Sequence, residues 1–205
     1  MNKIFFLLFA LLTLQINAQD TYTKKISKIQ NELSKDYGNK NKSPLPKKDL
    51  KNFKALPFFK IDRTYKVLAT LELTPKAPLF VIETSTDRKP LYQQYAIARF
   101  ALNGIDYKLS IYQSQESKYN PQYKDYLFLP FKDLTNGNET YDGGRYIDVF
   151  ISDIINNQII IDFNKAYNPY CAYSYKYSCP VPPIENHLDV AIKAGVKKGI
   201  ITNIE

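Results

Sequence analysis

Apolar positions along this chain change their period twice. Ile4 to Leu14 is apolar almost throughout. Tyr22, Ile26, Ile29, Leu33 and Tyr37 then recur at spacings of 4, 3, 4 and 4, which places them on one face of a helix over roughly residues 20–37. Gly38 and the Asn-Lys-Asn-Lys-Ser-Pro run behind it stop that helix, and a polar linker follows to about Phe53. Beyond it the period becomes two. Tyr65, Val67, Ala69, Leu71 and Leu73 fall on one side, with Lys66, Thr70 and Glu72 among the residues on the other, and such alternation predicts a strand.

The same signal returns at Leu79 to Ile82, Tyr95 to Leu102, Ile105 to Tyr112, Tyr126 to Leu129, Tyr146 to Ile151 and Gln158 to Phe163. Asn103-Gly104 separates two of these runs, and both residue types tolerate the positive φ of a tight primed hairpin turn. Asn156-Asn157 is a weaker signal of the same kind. Short strands with turns between them predict a mainly β fold, a single antiparallel barrel or sandwich domain preceded by an N-terminal amphipathic helix. About 150 residues are enough for one core.

The start of the chain changes the picture of where it works. Lys3 precedes the apolar run, and Ala18 offers a small residue before Gln19, so residues 1–18 read as a secretory signal. The run is short of the roughly 20 residues a spanning helix needs, and no transmembrane segment is expected after signal removal. The expected organisation is a signal at 1–18, a basic helix and linker at 19–52 and a β domain at 53–205. The expected location is periplasmic or secreted.

Charge is unevenly spread. Residues 21–56 hold ten Lys against Glu32, Asp36 and Asp49, a balance of +7, whereas Pro57 to Glu205 carry 17 basic and 16 acidic residues, a balance of +1. The basic arm reads as a solvated lead-in that the β domain can fold without, with anionic lipid or cell-wall polymer as a second use. Nucleic acid is not an expected partner of an exported chain without a phosphate loop or nucleic-acid motif.

Four stretches carry a likeness to a known family: "SPLPKKDLKNFKALPFFKID", "LFLPFKDLTNGNETYDGGRYIDV", "IDFNKAYNPYCAYSYKYSCPVPP" and "ENHLDVAIKAG". In that order they resemble the uncharacterised bacterial family catalogued as domain of unknown function 1684, over nearly the whole mature chain. The resemblance implies domain bounds and signature residues but no reaction. It also implies that the position of His187 varies and that Gly often stands at Asp142.

Cys171 and Cys179 are the two cysteines and His187 the one histidine. In an oxidising compartment an even pair reads as a disulfide, with free thiols as the alternative. A straight strand between them would hold their Cα atoms about 26 Å apart, far beyond disulfide reach. Pro169, Pro180, Pro182 and Pro183 favour a compact loop instead. The two thiols and His187 lack the close ligand pair of a structural zinc site, so no metal is expected, nor any cofactor. No G-x-S-x-G elbow is present, and catalytic residues stay unassigned.

The remaining candidates form a polar set: Glu139, Tyr141, Arg145, Asp162, Asn164, Tyr167, Asn168, Glu185 and Asn186. One reading makes them a cleft beside the disulfide loop that binds a small molecule or cell-envelope component, with Arg145 gripping an anionic or carbonyl group. A second makes the same cleft a hydrolase site, with Asp162 or Glu185 as acid or base and Arg145 as electrostatic stabiliser. A third is purely structural, with Arg145 paired to Asp162 or Glu185 and the asparagines satisfying backbone groups. Seventeen Tyr and twelve Phe without Trp suit core edges first and ligand stacking second.

Overall fold

Seven strands form where the alternation places them: β1 (Lys66–Leu73), β2 (Leu79–Val81), β3 (Leu91–Leu102), β4 (Ile105–Ser114), β5 (Tyr126–Phe131), β6 (Arg145–Phe150) and β7 (Gln158–Asp162). The computed structural model describes the backbone of residues 2–199 and the side chains of residues 20–199. The segment read as a secretory signal, residues 1–18, lies outside the residues described at side-chain level. Helices are α1 (Asn2–Gly38), α2 (Lys47–Leu50) and α3 (Gln115–Tyr119). Among the described residues no helix is long and apolar enough to cross a membrane.

The strands make one antiparallel sheet in the order β6-β5-β4-β3-β1-β7, with β2 paired to β3. The sheet curls into a half-barrel, so the barrel-or-sandwich expectation resolves towards an incompletely closed barrel. Asn103 and Gly104 turn the β3–β4 hairpin at φ 52° and 79°, and Asn156-Asn157 turn tightly at φ 50° and 57°. The two sheet edges approach where Tyr146 of β6 and Tyr167 exchange backbone hydrogen bonds of 2.9 and 3.0 Å.

The concave face holds the main core. Val67, Ala69 and Leu71 of β1 meet Leu109, Ile111, Leu127, Leu129, Ile147 and Ile159 there, the set a period of two would select. β4 and β5 share only the Tyr112–Phe128 pair in register. Asn186 fills the gap beside it. Its Oδ1 accepts from the Ser110 amide at 2.7 Å, and its Nδ2 donates to the carbonyls of Ser110 and Pro130 at 2.8 and 2.6 Å. A side-chain amide thus replaces a missing stretch of ladder, which satisfies backbone groups that burial would otherwise leave costly.

A second apolar cluster lies on the convex face, where Ile82, Tyr92, Tyr112, Phe128, Tyr146 and Cys179 pack together. The proline-bent loop covers it. Val181 donates to the Glu83 carbonyl at 2.7 Å and Ser85 donates to the Cys179 carbonyl at 2.9 Å, tying the loop to the segment after β2.

Helix α1 is docked, contrary to the expectation of a separable arm. Tyr22, Ile26 and Tyr37 of its apolar face are buried. The Tyr22 hydroxyl donates to Asp162 at 3.0 Å, Gln30 Nε2 to the Asn164 carbonyl at 3.0 Å, and the Tyr37 hydroxyl to the Asn168 carbonyl at 3.3 Å. The amphipathic stripe is therefore a wall of the β domain, and the charges face outward.

Candidate functional site

The parity of two neighbouring strands builds the most site-like surface. Along β6, Arg145, Ile147 and Val149 point into the core, so Tyr146, Asp148 and Phe150 point to the convex face. Along β5, Leu127, Leu129 and Phe131 fill the core, which leaves Tyr126 and Phe128 beside them. Register sets Tyr126 opposite Phe150 and Phe128 opposite Asp148. One carboxylate thus stands among aromatic rings.

Asp148 is fixed by two phenols. Tyr126 donates to its Oδ1 at 2.9 Å and Tyr167 donates to the same atom at 2.6 Å. Burial pushes both phenols above their ordinary pKa, with the Asp148 charge adding to the effect, so both stay protonated donors. Phe128 and Tyr146 meet edge to face at 4.7 Å, and Tyr146 and Tyr167 at 6.0 Å. Tyr146 anchors its hydroxyl on the Pro180 carbonyl. Such edge-to-face contacts fix ring orientation.

Around this floor runs a cleft of about 630 Å³, walled by Ile29, Leu33 and Tyr37 of α1 on one side and by Tyr170, Tyr177 and Cys179 of the loop on the other. Arg88 and Lys165 also line it. Arg88 is held against Ser178, donating to its Oγ and its carbonyl at 3.2 Å each. The volume lies within the range of small-molecule sites. Apolar walls with a few fixed polar groups are what such sites share.

Cys171 and Cys179 are close but unbonded, as free thiols. The Cys171 amide donates to Cys179 Sγ at 3.1 Å, and the Tyr141 hydroxyl lies 3.9 Å from Cys171 Sγ. The side-chain hydrogen bond between the two thiols is the largest cause that lowers Cys171 to about 6, against the opposing effect of burial. Cys179 is raised by the same hydrogen bond. The loop is compact, as the prolines implied.

The nine sequence candidates do not converge. Arg145 is fully buried, with 0% exposure. It donates to Asp133 Oδ2 at 2.7 Å and to the carbonyls of Ile192, at 2.8 Å, and Ala194. Its partner is thus neither Asp162 nor Glu185, and a ligand cannot reach it. Alternation within "RYIDVF" already required this, since Arg145 shares its face with Ile147 and Val149. Gly144, at φ +92°, brings the backbone against the Phe131 carbonyl, where an added Cβ would stand 2.7 Å from the oxygen, so the close approach expected of Gly143-Gly144 serves packing.

Asp162 and Asn164 are buried beneath α1. Asn164 Nδ2 donates to Asp162, to the Asp62 carbonyl and to the Tyr22 hydroxyl, while its Oδ1 accepts from the Asp62 amide. Asn168 donates to the Tyr173 hydroxyl at 3.1 Å and to the Lys197 carbonyl at 3.2 Å. Glu185 lies on the surface and accepts from Tyr112 at 2.7 Å. Glu139 pairs with Lys193 at 3.3 Å, and Asn186 stitches the sheet. Because Arg145 and Asp162 are shut from solvent and apart from Glu185, the acid–base arrangement imagined for a hydrolase does not form. Tyr167 lines the cleft and Tyr141 stands beside the thiols; Tyr92, Tyr126, Phe128, Tyr146 and Asp148 are the residues sequence reasoning missed.

Fold and site together define a mainly β, half-barrel protein with an aromatic cleft on its convex face. The chain belongs to the family described as "Protein of unknown function (DUF1684)", whose match spans residues 51–197. It is similar to an uncharacterised protein of Haloarcula marismortui solved by solution NMR, at 32% identity and a TM-score of 0.66, over 88% of this chain and 96% of that one. No curated protein matches.

Proposed function

We propose that this is an exported protein that binds a small organic molecule or envelope component in the cleft between α1, the convex face of β5–β6 and the Cys171–Cys179 loop. The observation that carries the reading is Asp148, exposed at the floor of an aromatic cleft of about 630 Å³ and fixed through one oxygen by Tyr126 and Tyr167. Its Oδ2 remains able to accept from a ligand. Export rests on the Lys3, apolar-run and Ala18 pattern at the chain start. In an oxidising compartment Cys171 and Cys179 would close a bridge that holds the Tyr170 and Tyr177 wall.

The test is an NMR titration of the chain from Gln19 with a panel of sugars, amines and aromatic acids, repeated on Asp148→Asn. The expected result is saturable perturbation centred on Tyr126, Asp148 and Tyr167, with affinity falling about tenfold or more in the variant. Ligands that perturb only other surfaces, or none at all across the panel, would overturn the reading.

A further inference from the structure

The cleft does not end at Asp148. A second hollow of about 690 Å³ shares Arg88, Tyr92, Tyr126, Asp148 and Phe150 with the first. Its own lining is different in kind, with Ser114, Glu116, Asn120, Gln122, Tyr123 and Asp125. The two hollows form one elongated groove that crosses the convex ends of β5 and β6. Its first half is aromatic and its second half is rich in hydroxyl, amide and carboxylate groups. Asp148 stands at the junction.

Each half by itself reaches the size of a small-molecule site, so the groove suits a chain of linked units better than one compact molecule. Charge narrows the class. Glu116, Asp125 and Asp148 oppose a polyanion, while Arg88 and Lys165 beside the aromatic half oppose a polycation. Tyrosine faces offer flat apolar platforms with a polar tip, and the amides and carboxylates of the second half can donate to or accept from many hydroxyls. A chain that is neutral, flat-faced and ringed with hydroxyls meets all of these conditions.

Resting on the small-molecule reading above, we infer that the groove takes a neutral oligosaccharide, with one sugar ring on the tyrosines around Asp148 and further rings along the Gln122–Tyr123 half. Calorimetry of the chain from Gln19 with N-acetylglucosamine, chitotriose, glucose and cellotriose tests it. At least one trisaccharide is expected to bind about tenfold or more tightly than its monosaccharide. Gln122→Ala/Tyr123→Ala, at the rim of the second half, is expected to erase that gain while leaving monosaccharide affinity and the melting temperature unchanged. Equal affinity for one and three units, a gain that survives the double variant, or no saccharide binding would overturn the inference. If other compounds still perturb Asp148 while saccharides do not, the oligosaccharide inference falls and the small-molecule reading stands. If nothing perturbs Asp148, both fall.

Discussion

Arg145 and Asp133 form an ion pair at 2.7 Å with both side chains at 0% exposure. The pair joins three parts of the chain. Asp133 Oδ1 accepts from the Thr135 and Ile192 amides at 2.9 and 3.1 Å, and the guanidinium reaches the carbonyls of Ile192 and Ala194. Burial lowers the Arg145 pKa, and the Asp133 charge opposes that loss. Arg145→Met therefore strands a buried carboxylate and is expected to cost about 3 to 5 kcal/mol. Urea unfolding checks this. A double variant that also replaces Asp133 with Leu should recover part of the loss, since the stranded charge is gone. An Arg145→Met protein as stable as the parent would refute the structural role.

Helix α1 is expected to be needed for the stability of the β domain. It buries Tyr22, Ile26 and Tyr37, and each fully buried side chain of this size contributes roughly 1.5 to 3 kcal/mol. A chain starting at residue 39 should lose about 4 kcal/mol or more relative to one starting at Gln19. Tyr22→Phe isolates the polar part. It removes a donor to buried Asp162 and an acceptor of Asn164, and should cost about 1 to 3 kcal/mol. Coincident urea midpoints for the two chains would show that the helix only rests on the domain.

Local pattern carried the strands because each alternation is a statement about residues two apart. It also carried the Asn103-Gly104 turn and the apolar stripe of α1. What the stripe covers was not legible, because Tyr22 meets Asp162 across 140 positions and Asp62 meets Asn164 across 102. The cleft was hidden for the same reason. Its walls come from α1, β5, β6 and the loop, and none of these segments alone resembles a site. Parity within β6 is what separates the readings of Arg145, since the alternation that exposes Asp148 buries Arg145.

Alkaline pH is expected to unfold the protein through its buried phenols. Burial raises Tyr37, Tyr126, Tyr146 and Tyr167 well above their ordinary value of 10, and Tyr173 to about 12. A folded-state pKa above the unfolded value means that the folded state holds these protons more tightly. Their contribution is complete below pH 10 and is lost as pH rises through 10 towards the raised values. Tyrosinate absorbance followed together with circular dichroism should show these phenols ionising as a block with loss of structure. Smooth ionisation of every tyrosine near pH 10 with the fold intact would contradict the buried cluster.

The thiol pair gives the last prediction. Oxidation of Cys171 and Cys179 removes two protons and two electrons, and an external disulfide that accepts them is reduced to two thiols. Attack by Cys171 is favoured, because its hydrogen bond with Cys179 lowers it to about 6 and thiolate is the reacting species. In reduced protein, alkylation should fall first on Cys171, with a half-maximal rate near pH 6 set by that same thiol. Protein recovered from an oxidising compartment should resist alkylation when unfolded without reductant. Closing a loop of this size should stabilise the fold by about 2.5 kcal/mol on the chain-entropy account, so reduction should lower the urea midpoint to match. Alkylation of both thiols in that unreduced, unfolded protein would show that the bridge does not form, and the cleft wall of Tyr170 and Tyr177 would then be held by packing and by hydrogen bonds that include Glu83–Val181, Ser85–Cys179 and Arg88–Ser178.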